Sequence, residues 1–151
     1  MDFAALSGHT QHAMFSMVAV GTDGSATAAE AVRVAAEMAR RFEAGLVLVS
    51  AFQDSAGVAR DSGETAWAFS TSARVREMLA RTEAELRRDG IDCKTLVDEG
   101  DPAEVLVRLA EESGADVLVI GNKGMHRRVL GSVPNKVTHK AHCSVLVVRT
   151  T

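Results

Sequence analysis

Residues 115–137, ADVLVIGNKGMHRRVLGSVPNKV, decide the fold of this chain. The apolar run 117–120 contains no alternation of polar and apolar residues, which is typical of a strand in a parallel sheet with helices on both faces. Gly121 is expected to end this strand. A helix is expected to begin at about Ser132 and to run to about Ala141. The stretch therefore predicts a strand, a glycine-rich loop and a helix.

The loop between this strand and this helix has the composition of a phosphate-binding loop. Gly121 and Gly124 lie at its start and Gly131 at its end. Glycines let backbone N–H groups turn toward an anion, and a helix N-terminus adds a partial positive charge. Four side chains that can carry positive charge lie between the glycines: Lys123, His126, Arg127 and Arg128. We expect an anion here, the alternative being a turn that only reverses the chain.

The composition of the chain limits the classes of protein to which it can belong. With 151 residues it fits one domain. Its 17 Lys and Arg against 20 Asp and Glu give a net charge of −3, so the basic surface of a nucleic-acid binder is not expected. Apolar runs such as 46–49 are far shorter than the ~20 residues that cross a bilayer. Cys93 and Cys143 lack the spacing of a metal site or a disulfide framework. We expect a cytoplasmic protein that contacts neither membrane nor nucleic acid.

Strands and helices alternate along the whole chain. Residues 1–15 lack periodicity and are interpreted as a mobile arm or leader, and 16–151 as a single domain. The expected strands are 17–20, 46–52, 93–97, 117–120 and 144–148. The expected helices follow residues 25, 71, 101 and 131. Alternation of this kind predicts an α/β fold with parallel strands and right-handed crossovers.

The residues that begin and end the helices can also be predicted. Thr27 and Glu30 can form a capping box for the first helix, which Gly45 is expected to end. Asp101 is a ready N-cap for the third helix, with Pro102 in its first position. If the strand order is 3-2-1-4-5, the loops after the first and fourth strands open onto one crevice, where sheets of this kind bind ligands.

Four segments of the chain resemble the universal stress proteins. They are VAVGTDGS at 18–25, GDPAE at 100–104, DVLVIGNKG at 116–124 and GSV at 131–133. The resemblance extends from Met17 to Arg149 and implies a five-stranded parallel sheet of order 3-2-1-4-5, with helices on both faces. Such a fold is Rossmann-like and similar to that of the adenine nucleotide alpha hydrolases. The resemblance also implies a homodimer through the last strands and, in one subgroup, bound ATP without an obvious reaction.

The resemblance further implies which residues bind the nucleotide. Thr22 and Ala51 would lie near the adenine, and Asp23 near the ribose and a Mg²⁺ ion on the phosphates. Gly121 and Gly124 would lie at the ribose and phosphates, and Gly131, Ser132 and Val133 at the phosphates. Ile120 and Lys123 are also expected among the residues that bind the nucleotide. An N-cap role for Asp23 is the alternative. Six residues separate Gly124 from Gly131, three fewer than in the family's ATP-binding pattern. AMP, ADP or cyclic AMP therefore suits the loop as well as ATP.

Three functions follow as hypotheses. The first is a nucleotide-binding stress or signalling protein that acts through a ligand-dependent dimer. The second is a dimeric interaction module of the same fold that binds no nucleotide. The third, a slow ATPase, has the least support, because no catalytic triad order or pair of catalytic carboxylates can be assembled, so we expect no enzyme beyond weak ATP hydrolysis. The homodimer is expected to form through the apolar edge strand Ser144–Val148, the alternative being that the N-terminal arm or a helix covers this edge within the monomer.

Overall fold

A computed structural model describes residues 15–54, 71–122 and 130–149. The strands are β1 (Met17–Gly21), β2 (Gly45–Phe52), β3 (Lys94–Glu99), β4 (Val117–Asn122) and β5 (Ser144–Arg149). The helices are α1 (Ala26–Phe42), α2 (Ser72–Arg88), α3 (Pro102–Glu112) and α4 (Ser132–Lys140). No helix in these ranges is long and apolar enough to cross a membrane.

The five strands form one parallel sheet in the order β3-β2-β1-β4-β5, which confirms the expected fold class and order. Apolar residues are buried on both faces of the sheet. Val18 and Val20 of β1 pack with α1 and α2 on one face, whereas Ala19 packs with α3 and α4 on the other. All three are fully buried. Burial on both faces explains why β1, β2 and β4 contain continuous apolar runs.

The bounds of two strands differ from those expected. β4 continues through Gly121 and Asn122, which align with Val148 and Arg149 of β5, so Gly121 does not end the strand. Pairing with β5 on one side is enough to keep these residues extended. β3 runs from Lys94 to Glu99 rather than from 93 to 97.

The ends of α1 also differ from those expected. Ser25 is the N-cap, and its hydroxyl accepts a hydrogen bond from the Ala28 N–H at 3.1 Å. The expected capping box of Thr27 and Glu30 is wrong, because Glu30 pairs instead with Arg33. At the other end the chain turns at Glu43, with φ of 54°, and Gly45 already belongs to β2.

Other local predictions are confirmed. Asp101 caps α3 by accepting a hydrogen bond from the Glu104 N–H at 3.3 Å, and Pro102 lies in the first turn. Cys93 precedes β3 and Cys143 precedes β5, at opposite edges of the sheet, and both are free thiols. Burial raises the pKa of both thiols.

Candidate functional site

The candidate site lies at the carboxyl edge of the sheet, between β1 and β4. These strands are neighbours, and the helices that follow them lie on opposite faces, α1 on one and α4 on the other. The chain therefore diverges at this point and leaves a crevice between the two strand ends, as in other open parallel sheets. Residues at the ends of β1 and β4 and at the start of α4 form this crevice.

Thr22 is held rigidly at the end of β1. Its side chain and backbone are 2% exposed. Its N–H donates to the carbonyl of Val49 at 3.1 Å, and its carbonyl accepts from the hydroxyl of Ser50 at 2.7 Å. Both bonds connect Thr22 to β2. The chain thus leaves the sheet at a defined position.

The loop after Thr22 is shaped by its own side chains. The Thr22 hydroxyl accepts a hydrogen bond from the Gly24 N–H at 3.2 Å. The Asp23 carboxylate accepts one from the Ser25 N–H at 2.9 Å. Gly24 has φ of 82°, a conformation that favours glycine. Since Ser25 caps α1, the alternative role of Asp23 as N-cap is wrong.

Gly121 is required by close packing against the first turn of α1. A Cβ atom added there would lie 2.8 Å from both the carbonyl oxygen and Cγ2 of Thr27. α1 therefore covers the end of β4 on this face. On the other face, the side chains of Ile120 and Ala51 are buried with the core that packs against α3 and α4, at 4% and 1% exposed.

Asn122 connects the end of β4 to the start of α4. Its side chain is fully buried, and its Oδ1 accepts a hydrogen bond from the Gly131 N–H at 2.8 Å. Sequence reasoning did not include Asn122 among the site residues. The available signal was a polar residue directly between Gly121 and Lys123, at the end of an apolar strand.

The first turn of α4 presents unused hydrogen-bond donors. Gly131 is the N-cap and supplies no side-chain cap. The N–H groups of Ser132 and Val133 have no hydrogen-bond partner in the described part of the chain. By contrast, α1, α2 and α3 are capped by the side chains of Ser25, Thr71 and Asp101, respectively. An uncapped helix start with free N–H groups attracts anions.

Comparison with known proteins identifies the family. Residues 14–149 match the model of the universal stress protein family. The chain belongs to this family. It is 35% identical over 146 residues to the universal stress protein Rv1636 of Mycobacterium tuberculosis, with 91% of this chain and 98% of that protein covered.

Two further relatives support this conclusion. The universal stress protein MJ0531 of Methanocaldococcus jannaschii is 30% identical over 142 residues, with 90% of this chain and 83% of that protein covered. A universal stress protein solved in complex with cAMP has a TM-score of 0.73 and 30% identity, with 91% of this chain and 99% of that one covered. The parallel sheet and its strand order therefore agree with the family.

The structure of this universal stress protein brings together most of the expected site residues. Thr22 and Asp23 lie on one side of the crevice, and Gly121 lies on the other, joined through Asn122 to the turn formed by Gly131, Ser132 and Val133. Lys123 and Gly124 lie outside the described residues. The described residues contain no group of three or more His, Cys, Asp or Glu side chains that could hold a metal ion. A cation at Asp23 would therefore need further oxygen ligands from a bound molecule.

Exposed ion pairs connect α4 to α3. Lys140 Nζ lies 3.1 Å from Glu104 Oε1, and Lys136 Nζ lies 3.8 Å from Asp101 Oδ1. All four side chains are at least about two-fifths exposed, so each pair contributes little to stability. The position of α4 depends more on the buried Val137 and on the bond from Asn122.

Proposed function

We propose that this universal stress protein binds an adenine nucleotide in the crevice between β1 and β4. The observation that carries the proposal is the first turn of α4, which has no side-chain cap and is attached to the end of β4 by Asn122. This turn adjoins the strand whose neighbour, β1, ends at Thr22 and Asp23. A phosphate at α4 and the rest of the nucleotide along the strand ends would fit this arrangement.

Each side of the crevice has its own part in the proposal. The positive pole of α4, with the N–H groups of Ser132 and Val133, would bind phosphate oxygens. The Asp23 carboxylate would approach the ribose, and it would hold Mg²⁺ through water when the nucleotide carries that ion. The relative solved in complex with cAMP, at 30% identity, supports an adenine nucleotide as the ligand.

The proposed role is that of a binding protein in stress response or signalling. Occupancy of the crevice would change the state of a dimer formed through β5, or the partners of that dimer. The second candidate is an interaction module of the same fold that binds no nucleotide. The third candidate function is that of a slow ATPase. Calorimetry with nucleotides distinguishes the nucleotide-binding protein from the interaction module. Release of phosphate from ATP over hours tests the ATPase.

The test replaces Ser132 with Asp and with Asn and measures binding of AMP, cyclic AMP, ADP and ATP by calorimetry. The Asp side chain would place a negative charge beside the bound phosphate, and we expect an affinity at least about tenfold lower. The Asn side chain has nearly the same shape as that of Asp but no charge, so the affinity of the Asn variant for the nucleotides should lie within about threefold of that of the wild type. An acidic residue in the first turn favours a helix by ~0.3–1 kcal/mol, so the Asp variant should remain folded.

Two outcomes would contradict the proposal. Wild-type protein that binds none of the four nucleotides would favour the interaction module. Equal affinities of the Ser132→Asp variant and the wild type would place the phosphate elsewhere. Thermal melting without ligand checks that all three proteins are folded.

A further inference from the structure

We propose that residues 1–14 pack against an apolar patch on the face of the sheet that carries α1. The patch consists of Val34 and Met38 of α1 and Leu146 of β5. It lies away from the nucleotide crevice, so this inference does not depend on the proposed function. Residues 1–14 lie outside the described part of the chain, and the described residues define the patch and the point from which the segment starts.

The two described helices on this face leave β5 largely uncovered. α2 lies over β2 and β3, and α1 lies mainly over β1 and β4, whereas α4 contacts both β4 and β5 on the opposite face. Leu146 aligns with Val119, which is buried in the core between the sheet and α1. Aligned residues of neighbouring strands point to the same face of a sheet. Leu146 therefore faces the α1 side, where 37% of its surface is exposed.

α1 contributes two apolar residues to the patch from the flank that faces β4 and β5. Thr27 marks this flank, because a Cβ atom added at Gly121 of β4 would lie 2.8 Å from its Cγ2. At 3.6 residues per turn, Val34 and Met38 lie within about 20° of Thr27 around the helix axis. Both are partly buried and pack against the core. The other flank is different, because charged residues such as Arg33 line the groove beside α2.

The segment 1–14 joins the described chain beside this patch. The Phe15 ring packs edge-to-face against that of Phe42, the last residue of α1, with 5.1 Å between the ring centroids. Phe15 also packs against the core on the α1 face. The Ser16 N–H donates to the carboxylate of Asp116, which precedes β4. The chain therefore enters the sheet on the α1 face next to β4, and β5 is the next strand.

The segment is long enough to reach the far end of the patch. Val20, Val119 and Leu146 are aligned across three neighbouring strands. Phe15 precedes Val20 in the chain by about 17 Å of extended backbone, and Leu146 lies two strand spacings, about 10 Å, to the side. The distance from Phe15 to Leu146 is thus about 20 Å, which about six extended residues cross.

The composition and the attachment of the segment favour it over a separate partner. Its sequence, MDFAALSGHTQHAM, has Asp2 as its only Asp, Glu, Lys or Arg, and it carries Phe3 and Leu6. Burial of these side chains against Leu146 would remove apolar surface from water. Attachment at Phe15 keeps the segment at a high local concentration, which a second copy or another protein lacks.

The experiment places a nitroxide spin label on the segment in the full chain. The label is attached to Ala4→Cys in a Cys143→Ser background, where Cys93, the other native thiol, is buried. Methyl NMR spectra are recorded with the label oxidised and then reduced. The oxidised label broadens the signals of methyl groups that lie near it.

We expect the methyl signals of Val34, Met38 and Leu146 to lose most of their intensity when the label is oxidised. The signals of Leu96 should keep theirs, because Leu96 lies in β3, at the opposite edge of the sheet. An unchanged intensity of all four residues would overturn the inference and leave the patch to another partner.

A mixed sample identifies the chain that supplies the segment. Spin-labelled protein without isotopes is incubated with isotope-labelled protein that carries no spin label. Full intensity of the patch signals in this sample, together with their loss in the first one, would support docking within one chain. Loss of intensity in the mixed sample alone would assign the patch to the segment of a second copy and overturn the inference.

Two pairs of substitutions test whether the contact is apolar. Phe3→Ser with Leu6→Ser should lower the melting temperature by about 4–8 °C, because two apolar side chains lose burial. His9→Ser with His12→Ser is the matched control on the same segment and should leave it unchanged. In a Leu146→Ser background the first pair should have a smaller effect, since the contact is already lost. Equal decreases in both backgrounds would overturn the inference.

Discussion

Asn122 Oδ1 accepts a hydrogen bond from the Gly131 N–H at 2.8 Å, although nine positions separate the two residues in the chain. The bond joins the last residue of β4 to the N-cap of α4. Because Asn122 is fully buried, water does not compete for this acceptor. The start of α4 is therefore held next to the end of β4, at the point where an anion is expected to bind.

Asp23 should affect the binding of Mg²⁺ with the nucleotide rather than the stability of α1. Asp23→Asn keeps an oxygen that can accept the Ser25 N–H but removes the charge, whereas Asp23→Ala removes both. We expect Asp23→Asn to lower the affinity for Mg-ATP about tenfold more than that for metal-free ATP, with an unchanged melting temperature. Asp23→Ala should in addition lose ~1 kcal/mol of the free energy of unfolding. If Mg²⁺ changes the affinity of Asp23→Asn for ATP by the same factor as that of the wild type, Asp23 does not have this role.

Gly121 and Gly131 should differ in their tolerance of a methyl group. A Cβ at Gly121 would lie 2.8 Å from the Thr27 backbone carbonyl, so Gly121→Ala should lower the free energy of unfolding by ~1–3 kcal/mol. At Gly131 the nearest atom, Asn122 Oδ1, would be 3.4 Å away, an ordinary contact. Gly131→Ala should therefore cost less than ~1 kcal/mol. Urea denaturation measures the free energy of unfolding of both variants. Equal decreases in the two variants would show that close packing of Thr27 against Gly121 does not limit the residue at this position.

Asp116 should make the protein sensitive to acid. Its Oδ2 accepts hydrogen bonds from the N–H groups of Ser16 at 2.8 Å and Met17 at 3.0 Å, and from the Ser16 hydroxyl at 3.0 Å. The Ser16 N–H is the main reason that the pKa of Asp116 lies below its usual value. A lowered pKa in the folded state adds stability above the unfolded pKa of ~3.9, and this stability is lost as the pH falls through the folded pKa.

The variant Asp116→Asn isolates this contribution. It keeps an oxygen acceptor but carries no charge, so it should be less stable than the wild type at pH 7 and equally stable once the pH lies well below the folded pKa of Asp116. The free energy of unfolding is measured by urea denaturation across this range. Other carboxylates with lowered pKa, such as Asp98, are present in both proteins, so their effects cancel in the difference. A difference that does not depend on pH would contradict the prediction.

Dimerisation through β5 is predicted from its position at the edge of the sheet, where no other strand of the described residues pairs with its outer side. The Ser144 N–H donates to the Asp116 carbonyl at the start of β4, at 3.3 Å. Since N–H directions alternate along a strand, those of Leu146 and Val148 also point toward β4, and those of Val145 and Val147 point away from the sheet. Leu146 is a large apolar residue with 37% of its surface exposed on this edge strand. N–H groups that have no partner among the described residues, together with exposed apolar surface, favour a partner strand.

Val147→Pro should convert a dimer to a folded monomer, because it removes an N–H from the outer edge of β5 and none from the bonds to β4. Val148→Pro is the control, since it removes a donor to β4 and should destabilise the fold itself. Sedimentation at micromolar concentration and thermal melting measure the two effects. A wild-type monomer, or a Val147→Pro protein that is folded and still dimeric, would contradict this interface.

The sequence alone determined the features that depend on neighbouring residues. Continuous apolar runs predicted β1, β2, β4 and β5, and the Asp101-Pro102 pair predicted the start of α3. Both rest on local chemistry, because burial on two faces removes alternation and a capping side chain bonds within its own turn. The motifs around Asp23, Gly121 and Ser132 also indicated the family and the crevice, since each is a short run of adjacent residues.

The tertiary structure alone decided which distant residues meet. No local pattern showed that Gly121 stays in β4, since this depends on pairing with β5 and on the approach of Thr27 from α1. Nor did any pattern show that Asn122 would accept a hydrogen bond from the N–H of Gly131. Such contacts depend on how helices pack on the sheet, and packing depends on side chains far apart in the chain.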